Sequence, residues 1–313
     1  MSSLTPMVLD LRMPFYPIKS TYDKRTLVEI QDPAMVQAYV QALRREAEAA
    51  AADYADCEIL AVHIGGGIAG HADDEGLGQL LRDMRRWFHF ADDAQVSLKV
   101  HPGMVSVETL NACQRGRVNR LSVDYVTSDP FESEAIGRFL PPNVMETTMM
   151  VLGNSPLALS FDLITGLPGQ SEASLMRTLD QVKAYGAKEI VLHPLQIIPE
   201  TAFADRCREY ASSTSPRRHM PNEKESDALW HAAQAWCAQE GYLPGSPGRF
   251  ALPGWESTYH RLMAEGIASI GFGLGAVTRT DGAEAVNISD LSSYIRYAPD
   301  PTKIIATVRP LAM

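Results

Sequence analysis

A chain of 313 residues with 45% hydrophobic side chains has room for one large α/β domain, or for one such domain and a small addition. Its formal charge of −10, without clustered Lys and Arg, argues against a nucleic-acid partner, because phosphate binding needs such clusters. No apolar run reaches transmembrane length and the N-terminus lacks the form of a secretion signal, so a cytoplasmic protein with no membrane contact is expected.

In chain order, β-rich runs fall at 7–11, 58–64, 96–100, 120–124, 158–163 and 189–192. Asp32 and Pro33 make an N-cap with proline at the first helical position. Met35, Val36, Tyr39, Val40 and Leu43 then recur at helical spacing. Further helices fit 75–90, 107–115 and 171–185, the last with Ser171 and Ser174 as caps. Six strands each followed by a helix imply parallel strands and right-handed crossovers. Both an open doubly wound sheet and a curved partial barrel meet that pattern, and both place the active site at the carboxyl ends of the strands.

From about residue 202 the rhythm breaks. The chain is divided into a 1–205 barrel unit, a 206–225 linker or mobile loop, and a 226–313 α+β extension with a helix at 227–239. Cys57, Cys113, Cys207 and Cys237 are too dispersed for a zinc or iron–sulfur loop and read as small buried hydrophobes.

Six stretches occur in an order that carries more weight than any one alone: "HIGGGIAG", "VNRLSVDYVTSD", "AIGR", "FDLITGLPGQSEASLMRTL", "LHPLQIIPET" and "IGFGLGAVTR". Together they resemble the coproporphyrinogen dehydrogenase-like (HemN/HemW) branch of the radical SAM enzymes. The resemblance implies a partial (β/α)6 TIM-like barrel with S-adenosylmethionine (SAM) across the strand ends. The family has three cluster cysteines in the loop after the first strand. Here "MPFYPIKSTYDK" keeps Pro14, Phe15 and Tyr22 but has Tyr16, Ser20 and Asp23 at those positions. Thiolates hold a four-iron cluster; a phenol, a hydroxyl and one carboxylate do not replace them. No iron–sulfur cluster is expected, and with it no reductive cleavage of SAM.

The resemblance also implies a SAM site. Gly65, Gly66 and Gly67 match the glycine turn at the methionine end, Arg138 and Asp162 the contacts to the carboxylate end and ribose. Gly166 and Pro168, with Gln196 and Ile197, match the segments around the adenine. Lys99 stands where a glutamate takes the amino group, Val126 replaces a glutamine, and Ile68 and Ala69 replace Thr-Pro.

Alternation along the third strand aims Lys99 and His101 at one side, with Asp124 on the next strand facing the same way. A buried lysine needs an anionic partner, and Asp124 or a ligand carboxylate fills that need. Tyr16, Asp23, His63, His101 and Asp124 are candidate bases, with Lys99 as a clamp, for a polar alkyl transfer or cyclisation that uses SAM on a small metabolite. His63, His101 and Asp124 would form a two-histidine, one-carboxylate metal set only if all three converge. His193 is expected as packing under the adenine side. The competing expectation is a non-catalytic protein, a tetrapyrrole or haem carrier or a regulatory partner of a radical enzyme.

Overall fold

Six runs of alternating polarity form the centre of one mixed sheet: β1 (Thr5–Arg12), β2 (Cys57–Gly65), β3 (His89–Val100), β4 (Arg120–Val126), β5 (Ala158–Thr165) and β6 (Glu189–Pro194). They lie side by side in sequence order, each parallel to the next. The computed structural model describes residues 4–16, 28–30, 32–66, 74–138, 140–141, 143–153, 155–211, 213, 215–280 and 282–311. Helices α1 (Pro33–Ala50), α2 (Asp74–Trp87), α3 (Val107–Arg115), α4 (Pro130–Ala135), α5 (Val144–Leu152) and α6 (Glu172–Ala184) fill the crossovers. No described helix is long and apolar enough to cross a membrane.

The period of two along each strand separates two environments. Leu9, Leu11, Val62, Ile64, Leu98, Leu121, Val123, Phe161, Leu163 and Leu192 join the apolar core beneath the helices. The residues between them face the opposite way. Register sets Asp10 beside His63, His63 beside Ser97, Lys99 beside Ser122, and Asp124 beside Asp162. Strands two apart in a flat sheet are separated by roughly 9–10 Å. Yet Lys99 on β3 meets Asp162 on β5, and Arg120 on β4 meets Glu189 on β6 at 2.8 Å. Long side chains span that distance, so residues from strands two apart close ion pairs across this polar face.

Residues beyond the sixth strand build onto both sides of that sheet. After α7 (Ala202–Ala211) and α8 (Glu223–Gln239), strands β7 (Leu243–Pro244) and β8 (Arg249–Ala251) close the β6 edge. Helix α9 (Thr258–Ala264) leads to β9 (Ser269–Phe272), which lies parallel to β1. Then β10 (Val277–Thr280), β11 (Ala283–Asn287), α10 (Leu291–Tyr297), α11 (Pro301–Ile304) and β12 (Ile305–Pro310) complete the other edge.

Several boundaries differ from expectation for identifiable reasons. The expected helix to residue 90 stops at Trp87, because Phe90 pairs in the sheet with Ile59. The expected helix from 227 starts at Glu223, where Asn222 and Glu225 form a capping box inside a segment read as linker. Regular structure thus occupies both ends of 206–225, through α7 and the first turn of α8.

The extension is fastened to α1 by a buried carboxylate. Glu46 accepts from Gly273 N at 2.9 Å, Asn287 Nδ2 at 2.6 Å and the Tyr294 hydroxyl. The glycines of "IGFGLGA" serve this junction: Gly273 has φ +108, and a Cβ there would lie 2.5 Å from the Tyr39 hydroxyl. Burial raises the Glu46 pKa from 4.5 to about 7 against these hydrogen bonds. Because the folded pKa exceeds the unfolded one, this group favours folding most below 4.5 and loses that contribution as pH rises through 7. Denaturant unfolding from pH 4.5 to 8 should show a fall of roughly 3 kcal/mol that disappears in Glu46→Ala.

Candidate functional site

At the carboxyl ends of β3, β4 and β5 the inward rows converge on a compact ion cluster. Lys99 Nζ lies 3.0 Å from Asp162 Oδ2 and 3.7 Å from Asp124 Oδ1. Arg138 Nη2, in the segment after α4, lies 2.7 Å from Asp124 Oδ2. The Ser122 hydroxyl donates to Asp162 Oδ2 at 2.9 Å. Burial pushes both aspartates up, but neighbouring cations outweigh it. Lys99, followed by His193 and Arg249, holds Asp162 well below the usual carboxylate range, and Arg138 with Lys99 holds Asp124 down.

The expected partner of Lys99 is present, and a second and nearer one beside it. His101 lies just past the end of β3 and turns back on its own chain, where Nδ1 accepts from Gly103 N at 3.3 Å. Tyr16 is buried in a two-residue strand paired with Val28–Glu29, and is not among the residues lining the lumen. Asp23 and Gly67 lie outside the described residues. His193 is not packed away: its side chain is 54% exposed, with Nε2 3.7 Å from Asp162 Oδ1. His63 and His101 do not gather with Asp124, and no group of three or more potential metal ligands occurs among the described residues.

The glycine motifs make room for this chain's own groups. A Cβ on Gly65 would lie 2.3 Å from His63 Nε2, and one on Gly66 (φ +87) would lie 2.8 Å from Arg12 Cδ. Gly166 (φ +82) donates its N–H to Gln170 Oε1 at 2.7 Å, closing the Gly-Leu-Pro-Gly turn over buried Pro168. Gly169 (φ +76) donates to His219 O at 2.7 Å, and a Cβ there would lie 2.6 Å from Arg217 O. Gly169→Ala should therefore lower stability by about 1–3 kcal/mol and increase proteolysis between 211 and 222.

Val126, Ile136, Ile164, Leu167, Phe203 and Cys207 form an apolar cluster beside the site, joined by Leu195 and Met220. Val126 has φ +74 at a register shift in β4, a conformation rare for a β-branched residue. Gln196 and Ile197, the other residues matched to the adenine side, are exposed.

A cavity of 260 Å³ remains in the lumen, lined by Asp10, Arg12, His63, Gly66, Lys99, Ser122, Asp162, His193, Arg249, Tyr259 and His260. Sequence reasoning had His63, Gly66, Lys99, Asp162 and His193 but missed Asp10, Arg12, Ser122, Arg249, Tyr259 and His260. Alternation along Met7–Arg12 would have turned Asp10 inward. Nothing local marks Arg249 or His260, which the extension delivers from the far side of the barrel.

The fold is shared with a radical SAM enzyme. The coproporphyrinogen III oxidase HemN from Escherichia coli, a radical SAM enzyme, superposes with a TM-score of 0.83 at 18% identity, over 99% of this chain and 73% of that one. By sequence, the chain is similar to haem chaperones named HemW and to oxygen-independent coproporphyrinogen III oxidases. The haem chaperone HemW of Bacillus subtilis is 24% identical, over 83% of this chain and 68% of its own. HemW of Escherichia coli is also 24% identical, over 90% and 73%. The oxygen-independent coproporphyrinogen III oxidase of Cereibacter sphaeroides is 25% identical, over 71% and 48%. No family model matches the chain.

Proposed function

We propose that this protein is a haem carrier built on the radical SAM barrel, in which the SAM site has been closed by the chain's own ions. The observation that carries the reading is Lys99, 3.0 Å from Asp162 and 3.7 Å from Asp124. A SAM molecule brings an ammonium, a carboxylate and a sulfonium. Lys99 sets a cation where the ammonium would approach, and at short range in a low dielectric that repulsion is worth several kcal/mol. Arg138, matched to the carboxylate end, is already committed to Asp124. The donor set for an iron–sulfur cluster does not fit either, since residues 13–24 contain no cysteine.

The haem assignment draws on the relatives, which are named as haem chaperones and coproporphyrinogen oxidases, both tetrapyrrole proteins. Titration with hemin, followed by its absorbance, tests it. Saturation at one haem per chain is expected; a linear, unsaturable response would overturn it. A second reading, polar alkyl transfer from SAM to a small metabolite, is favoured by the cavity left between Gly66 and Asp162. Consumption of SAM with release of S-adenosylhomocysteine or methylthioadenosine would decide for that reading.

A further inference from the structure

The lumen contains a second set of groups that the haem reading does not use. Glu189 is 1% exposed and faces two guanidinium groups, with Arg120 Nη2 and Arg249 Nη1 each 2.8 Å from its Oε2. With the neighbouring cluster included, Asp10, Asp124, Asp162 and Glu189 face Arg12, Lys99, Arg120, Arg138 and Arg249, which leaves one positive charge in excess around the cavity. Arg249 places Nη2 2.9 Å from His260 Nε2. It has five N–H groups to offer, and these two contacts engage only part of them.

His63 adds a directional requirement. The Ser97 hydroxyl donates its proton to Val62 O at 3.1 Å, so in the 3.0 Å contact between His63 Nδ1 and Ser97 Oγ the imidazole is the donor. Burial, with Arg249 and Lys99 close by, lowers the His63 pKa to about 3 and keeps the ring neutral. Its Nε2 therefore carries a bare lone pair. Nothing among the described residues donates to it. Tyr259, whose ring lies 5.1 Å from that of His63, is held protonated by burial and lines the same cavity.

We propose that the barrel lumen binds a small 2-hydroxycarboxylate. Its carboxylate lies on Arg249 and the Tyr259 hydroxyl, and its own hydroxyl donates to His63 Nε2. At 260 Å³ the cavity is just below the usual size for drug-sized ligands, which suits a small acid. A carboxylate alone would offset the excess charge but leave Nε2 without a donor. The site is independent of haem binding, and its failure would leave that reading untouched.

Calorimetric titration of the full chain with lactate and with propanoate, in chloride-free buffer, tests the proposal. The two acids share a carbon skeleton and differ by the hydroxyl. Lactate should bind about tenfold more tightly or better, because propanoate lacks the hydroxyl that donates to His63 Nε2. His63→Leu should bring the two affinities together by weakening lactate alone. Tyr259→Phe, which keeps the ring, should weaken both, and provides a readout if His63→Leu does not fold. Equal affinities in the natural protein, no saturation by either acid at millimolar concentration, or displacement of lactate by chloride at matched concentration would each overturn the proposal.

Discussion

Lys99→Glu should destabilise the protein by about 3–5 kcal/mol at neutral pH, measured by urea unfolding. The substitution restores the residue type that the family resemblance places there, yet in this chain it sets a third carboxylate against Asp124 and Asp162. Arg138 remains 2.7 Å from Asp124, but Asp162 loses its nearest cation. The pH dependence should change with it. In the natural protein, Asp162 and Asp124 have depressed pKa values, so their contribution is present above the unfolded carboxyl value of 3.8 and is lost as pH falls below it. In the variant the crowded carboxyls gain raised pKa values, and mild acid should stabilise the fold instead. A variant as stable as the natural protein, with an unchanged pH profile, would show that the Lys99 cluster contributes little.

Glu189→Gln should cost a similar amount, about 3–5 kcal/mol, by leaving Arg120 and Arg249 buried without an anion between them. Glu189 also accepts from the Ser160 hydroxyl at 2.9 Å and from Ser257 N at 3.2 Å. The loss therefore reaches β5 and the segment leading into α9. Adding Arg249→Met removes one stranded cation, so the double variant should be more stable than the two single losses added together. Strict additivity would mean that Glu189 and Arg249 do not act as a pair.

The barrel was legible in the sequence where one local rule decides the outcome. Alternation in Arg120–Val126 and Ala158–Thr165 placed Arg120, Ser122, Asp124, Ser160 and Asp162 on one face, and the capping residue Ser171 set the start of α6. The inward aim of Lys99 and Asp124 followed from the same alternation. His101 escaped it because β3 ends at Val100, after which Pro102 opens a short 3-10 turn that takes the imidazole as its cap. The role of Glu46 depends on Asn287 and Tyr294, more than 200 residues away, and no local pattern announces such a contact. Arg249 and His260 reach the lumen for the same reason: packing of the extension, not spacing, decides where they point. The glycine and Gly-Leu-Pro-Gly motifs were visible at once, but their meaning was not. They read as room for a ligand, whereas the neighbours that fill that room are His63, Arg12 and Arg217.

The most direct measurement is a calorimetric titration of the natural protein with SAM. With the methionine-end groups already satisfying one another, no saturable heat should appear up to millimolar SAM. A micromolar dissociation constant would mean that Lys99 and Arg138 release their aspartates for the ligand, and that the barrel still works as a SAM protein.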